Sequence, residues 1–93
     1  MAIVSFNCPE TERLFTKGYS RTFAGIQRVA ERKLAQLEAA HTLRFLRSPP
    51  GNRLEKLSGD RADQHSIRIN DQWRVCFRWT DDGPADVAIV DYH

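Results

Sequence analysis

The spacing of apolar positions changes period partway along the chain. Between Ser20 and Leu37, Phe23, Ile26, Val29, Ala30, Leu34 and Leu37 recur at helical intervals, while Arg21, Arg28, Arg32 and Glu31 fall on the other side. That pattern predicts an amphipathic helix with Ser20 as its N-cap. Before it, Ala2–Phe6 is β-prone and ends at Asn7-Cys8-Pro9, which predicts a short N-terminal strand. Thr11–Thr16 then reads as one helical turn with Leu14 and Phe15 inward, closed at Lys17-Gly18. Thr42 caps a second short helix through Leu43 and Leu46, and Ser48-Pro49-Pro50-Gly51 stops it, so a helical hairpin broken near His41 is expected.

Beyond Pro50 the period falls to two. Leu54 and Leu57 flank a short edge strand, and Ser58–Asp63 is turn-rich. Ile67 and Ile69 alternate with Ser66, Arg68 and Asn70. After Asn70-Asp71-Gln72, Trp73, Val75, Phe77 and Trp79 alternate with Arg74, Cys76 and Arg78, which predicts a hairpin of half-buried strands. Asp81-Asp82-Gly83-Pro84 turns the chain into a last strand, Ala85–Tyr92, with Val87 and Ile89 on one face and Ala88 and Val90 on the other. The order is strand, helices, antiparallel strands, an α+β arrangement with the helices on one face of the sheet.

Ninety-three residues suffice for one core and not two, so a single domain over residues 1–93 is expected. A hydrophobic fraction of 41% with 28% charged residues is globular and excludes a disordered or collagen-like chain. No apolar run is long enough to span a membrane and no signal-peptide pattern opens the chain, so a cytoplasmic protein without membrane association is expected. Cys8 and Cys76 lack partner spacing, which predicts two reduced thiols.

The net charge of +2 hides an asymmetry. Residues 21–56 carry eight basic groups against three acids, whereas four arginines face six aspartates from Arg61 onward. Eleven of the fourteen cations are arginine, whose planar fork suits phosphate and carboxylate. Nucleic acid is one partner for such a surface, and a solvated helix face explains the same charges.

Strand alternation places Arg68, Arg74 and Arg78 opposite the Trp73/Val75/Phe77/Trp79 face, as an open row able to hold a polyanion with Arg74 central. The same row also serves solubility alone. Asp91-Tyr92-His93 forms a titratable trio after an apolar strand; His93 can move a proton near neutral pH, and a frayed terminus is the plainer reading. His41 and His65 have no metal-site spacing, and neither a phosphate-cradling glycine loop nor a nucleophile elbow is present, so no metal or cofactor is expected.

Taken in order, several segments resemble a known family. They are Ser48-Pro49-Pro50-Gly51-Asn52-Arg53-Leu54-Glu55, Leu57-Ser58-Gly59-Asp60-Arg61, His65 through Phe77 and the terminal Asp91-Tyr92-His93. The resemblance is to the HigB branch of the RelE/ParE toxin superfamily, and it spans essentially the whole chain. It implies a microbial-ribonuclease-like α+β fold whose exposed sheet face acts on RNA. It also implies binding at the A site of the 30S ribosomal subunit, cleavage of mRNA there, and neutralisation by a HigA-like helix-turn-helix antitoxin. Promoter DNA would be reached only through that antitoxin.

By the same resemblance Arg74 matches the arginine that stabilises phosphoryl charge, His93 the terminal acid/base group, and Asp91 and Tyr92 the residues positioning RNA and histidine. Arg28, Arg32, Lys33, Arg53, Lys56 and Arg61, with Arg68 and Arg78 beside Arg74, become the expected contacts to RNA and ribosome. Two positions depart from the family pattern: Glu55 stands where some members carry histidine, and Ser58 where they carry lysine. Glu55 is then a candidate general base, and a missing lysine weakens transition-state stabilisation, so a weak, metal-independent nuclease is expected. The superfamily also contains ParE-type gyrase inhibitors, and a non-catalytic RNA-binding module is the third reading.

Overall fold

The computed structural model describes residues 3–91. Two α-helices, α1 (Pro9–Lys17) and α2 (Gln27–Ala39), precede strands β1 (Glu55–Lys56), β2 (His65–Arg68), β3 (Trp73–Thr80) and β4 (Gly83–Asp91). The strands form one antiparallel sheet in sequence order, so the architecture is α+β.

Helix α1 is longer than the single turn the sequence suggests. Pro9 opens it at a position where no amide hydrogen is needed, Glu10 and Glu12 occupy its first turn and Lys17 its last. Gly18 closes it at φ 76°, donating its N–H to the carbonyl of Leu14. Ser20 does not cap α2: it is buried and its hydroxyl donates to Glu10 Oε1 at 2.8 Å, tying the connection back onto α1. A 3-10 turn at Ala24–Ile26 leads into α2 instead. Thr42 does cap, accepting from the Phe45 N–H at 3.2 Å, but the segment it starts is a 3-10 turn over Leu43–Arg47. The two helices that pack together are therefore α1 and α2 rather than α2 and the Thr42 segment.

Leu14, Leu34, Leu37, Ile67, Val75, Phe77 and Val87 are fully buried together. Register places Ile67, Val75 and Ile89 in one row on this face, with His65 and Phe77 paired beside them. Phe23 meets Trp73 edge-on with ring centroids 5.6 Å apart, sealing the α2 entrance against β3.

The predicted N-terminal strand reduces to an extended segment with a single parallel bridge, Phe6 to Val87. A bulge in β4 explains this. Register shifts between Cys76 and Arg78, and Asp86 adopts φ 54°. The Asp86 N–H then turns to the Ser5 hydroxyl (2.9 Å), while Val4, Ser5 and Asn7 bond the β4 backbone at Pro84 and Val87. Thr11 Oγ1 accepts the Ile89 N–H at 3.0 Å. The outer edge of β4 is thereby covered, which removes a template for unwanted strand pairing.

Candidate active site

Pairing carries Glu55, Ser66, Cys76 and Ala88 across the sheet in one row, and Arg68, Arg74 and Val90 in the next. These rows face away from the helices' core, as alternation requires. The expected open row of arginines is nevertheless not what forms. Arg74 is only 8% exposed. Its Nε donates to Ser66 Oγ at 2.7 Å and its Nη2 to the Arg53 carbonyl at 2.7 Å, with Glu55 Oε1 at 3.8 Å. A guanidinium bound on two sides is fixed before any ligand arrives, as stabilisation of a developing negative charge requires.

Arg53 reaches this position through a special backbone. Pro50–Asn52 makes a 3-10 turn, Arg53 follows at φ 47°, and its N–H returns to the Pro50 carbonyl. Asn52 holds the turn in place from within. Its amide donates to Gln36 Oε1 and to the carbonyls of Leu46 and Ser48, and its Oδ1 accepts from Lys33 Nζ at 2.5 Å. Asn52 is fully buried, so each bond replaces one that water would have made. The chain of contacts runs from α2 through Asn52 to the Arg53 carbonyl and on to Arg74.

Lys33 thus departs from the sequence expectation of an RNA-contacting cation. It is 7% exposed and lies among Ala30, Leu34 and Leu37 on the buried face of α2. Burial lowers its pKa from the ordinary lysine value, with smaller contributions from Arg32 and Arg68. Arg28, Arg32, Arg53, Lys56 and Arg61 are exposed.

Arg68 stands directly across from Arg74 in the β2–β3 register. Like charges opposite one another cost stability unless compensated. Arg68 is compensated by Asp71, which it contacts in a hydrogen-bonded ion pair. Arg78 pairs with Asp86 at 3.0 Å beside the bulge. Asp91 ends β4 opposite Trp73, and Gln72 Nε2 donates to its Oδ2 at 3.1 Å. Tyr92 and His93 lie outside the described residues. Among the sequence candidates the structure brings together Arg74, Glu55 and Arg68. It adds Ser66 and Asn52, to which the sequence assigns no role of their own.

Among the described residues no group of three or more His, Cys, Asp or Glu side chains is placed to hold a metal ion. Cys76 is buried, which raises its pKa against the opposing effect of Arg61 and Arg74. It behaves as a packed thiol and not a nucleophile. No helix among the described residues is long and apolar enough to cross a membrane.

Two helices backing a four-stranded antiparallel sheet are the α+β frame of a RelE-like toxin. Residues 5–93 match the family described as the RelE-like toxin of type II toxin-antitoxin system HigB. The chain is 45% identical over 70 residues to Toxin HigB-1 of Vibrio cholerae serotype O1, covering 75% of this chain and 73% of that protein. It is 34% identical over 61 residues to an uncharacterised protein of Haemophilus influenzae, covering 66% of this chain and 60% of the relative. The chain belongs to the HigB family: it is the toxin of a type II toxin-antitoxin system, and an antitoxin is its partner.

Proposed function

We propose that this toxin is a ribosome-dependent endoribonuclease that cuts mRNA in the A site of the 30S subunit in the cytoplasm and is neutralised by a HigA-like helix-turn-helix antitoxin. The observation that carries the reading is Arg74, a buried guanidinium fixed by Ser66 and the Arg53 carbonyl and set opposite Arg68. The two arginines stand in register and their carboxylate partners, Asp71 and Glu55, are exposed, so a phosphodiester can take the place of either carboxylate.

In the proposed reaction a base, Glu55 or neutral His93, takes the proton of the ribose 2′-hydroxyl. The 2′-oxygen bonds the adjacent phosphorus, the bond from phosphorus to the 5′-oxygen breaks, and His93 protonates the departing oxygen. A 2′,3′-cyclic phosphate and a free 5′-hydroxyl result. Arg74 stabilises the charge gathered on the non-bridging oxygens, with Arg68 alongside; Asp91 and Tyr92 position RNA and histidine. Acid and base are side chains, so no metal takes part in this scheme. Glu55 lies 3.8 Å from Arg74, which offsets the repulsion between a carboxylate and a phosphodiester.

Few groups serve to align the reacting atoms, so the ribosome supplies part of the in-line geometry. Exposed Arg28, Arg32, Arg53, Lys56 and Arg61 grip ribosomal RNA phosphates, and binding weakens steeply with salt. The test is mapping of RNA ends after adding antitoxin-free protein to translating ribosomes on a defined mRNA, beside Arg74→Ala, His93→Ala and ribosome-free RNA. Cleavage in the A-site codon that needs ribosomes and both side chains is expected. No cleavage by folded protein, together with inhibition of supercoiling by purified gyrase, would overturn the nuclease reading in favour of a ParE-like activity. Co-expression with an adjacent helix-turn-helix gene product is expected to abolish toxicity and yield a stable complex.

A further inference from the structure

A groove of about 590 Å³ opens between the Leu43–Arg47 turn and the β1–β2 end of the sheet. Its size falls in the range of small-ligand sites. Leu43 and Leu54 line it and pack against the core from its apolar side. Arg44 and Arg47 reach it from the turn, and Lys56 from β1. Glu55 belongs both to this groove and to the surroundings of Arg74, so the two regions adjoin across the β1 edge.

His65 completes the lining. It pairs with Lys56 in register and stacks on Phe77, with ring centroids 6.3 Å apart and planes 23° from parallel. Its Nδ1 is buried without a hydrogen-bond partner. A bare lone pair in such a place costs less than an orphaned N–H, so the neutral ring keeps its proton on Nε2. Burial first, and Lys56 second, favour the neutral ring. Apart from Glu55, the ionisable lining is then made of donors: two guanidiniums, one ammonium and an imidazole N–H. A donor-rich groove with an apolar side matches a group that is anionic at one end and flat and apolar at the other.

We infer that this groove is a second nucleotide subsite, holding a neighbouring nucleotide of the RNA strand whose scissile phosphate lies at Arg74. Arg44 and Arg47 take its phosphate, and Leu43 and Leu54 take the base or ribose. The assignment rests on the nuclease reading for the identity of the strand, whereas the groove's affinity for a nucleotide does not need catalysis.

The test is a chemical-shift titration of the antitoxin-free protein with an uncleavable 2′-O-methyl trinucleotide and, separately, with inorganic phosphate. Arg44→Gln/Arg47→Gln serves as the variant, because both side chains are exposed and outside the buried network. The trinucleotide is expected to shift Leu43, Leu54 and His65 signals. The double variant is expected to bind it at least tenfold more weakly with a shallower salt dependence, while keeping its folded spectrum. Unchanged affinity in the variant, shifts confined to the Arg74 side, or inorganic phosphate binding as well as the trinucleotide would each overturn the subsite. Perturbation of the groove by the antitoxin and not by the trinucleotide would overturn it in favour of a protein partner. The same variant is then assayed on translating ribosomes. Binding in the groove without mRNA cleavage by the parent protein would leave the subsite standing and sink the nuclease reading. Cleavage by the parent with a silent groove would do the reverse.

Discussion

Arg74 donates from Nη2 to the main-chain carbonyl of Arg53 at 2.7 Å, and Arg53 presents that carbonyl from a left-handed backbone at φ 47°. One arginine is thus oriented by the backbone of another, twenty-one positions away. Arg74→Ala leaves the buried Ser66 hydroxyl without its partner and removes the partly buried bond to the Arg53 carbonyl, a loss of about 1–3 kcal/mol. Arg74→Lys restores the charge but not the two-sided fork, because an ammonium lacks its planar spread of donors. The expected result is that both variants lose growth inhibition, with Arg74→Lys the more stable in urea unfolding. Full toxicity in a folded Arg74→Lys protein would show that charge alone suffices.

Lys33 and Asn52 form a buried bond whose two ends are not equivalent. Asn52→Ala removes the amide whose two N–H groups are shared among Gln36 Oε1 and the carbonyls of Leu46 and Ser48, and strands a buried ammonium, so a loss of about 3 kcal/mol or more is expected. Lys33→Met fills similar space without charge, and its cost is expected to be much smaller. The pH signs separate them further. Because burial lowers the Lys33 pKa, the unfolded chain holds the proton more tightly, and stability contributed here rises as pH climbs from the folded value to the ordinary lysine value. Urea titrations of parent and Lys33→Met proteins at alkaline pH should differ by that positive slope, and parallel curves would refute it.

Much of this arrangement was legible in the residues, and the exceptions have physical causes. Alternation in Trp73–Trp79 placed Arg74 on the correct face because a strand's period is fixed by its pleat. Its burial was not legible, since the cover is a carbonyl donated by a distant turn. Lys33 was legible in principle: Ala30, Lys33, Leu34 and Leu37 follow the spacing of a buried stripe, and charge wrongly argued the residue outward. Asn52 sat in Pro-Pro-Gly-Asn, where composition says only that the chain turns. Its partners Lys33 and Gln36 lie nineteen and sixteen residues away, beyond any local rule. Ser20 has the residue type and position of an N-cap, and tertiary packing gives its hydroxyl to Glu10 instead.

The β4 bulge rests on Asp86, which combines φ 54° with bonds to Arg78 and Ser5. Asp tolerates this conformation better than Ala, and Gly adopts it freely. Asp86→Asn should therefore cost least. Asp86→Gly loses the side-chain bonds but no backbone fit, and Asp86→Ala loses both, about 1–3 kcal/mol in all. Faster amide exchange at Val87, whose N–H donates to Ser5, should track the same order. Equal midpoints for Gly and Ala would show that the left-handed backbone carries no penalty here.

His65 offers a direct reading of the groove's electrostatics. Burial first, and Lys56 second, lower its pKa from the free imidazole value. The sign for stability follows: as pH falls through the free value, the unfolded chain takes up the proton before the folded one does, so this residue's contribution is lost on acidification and present at neutral pH. A histidine-resolved NMR titration should place the His65 midpoint below the free imidazole value. Lys56→Gln should recover only the smaller part of the difference, because burial remains. A phosphate bound beside the ring should move the midpoint upward, since an anion favours the imidazolium. A His65 midpoint at the free value would mean that water reaches both ring nitrogens and that the buried Nδ1 is not a feature of the protein in solution.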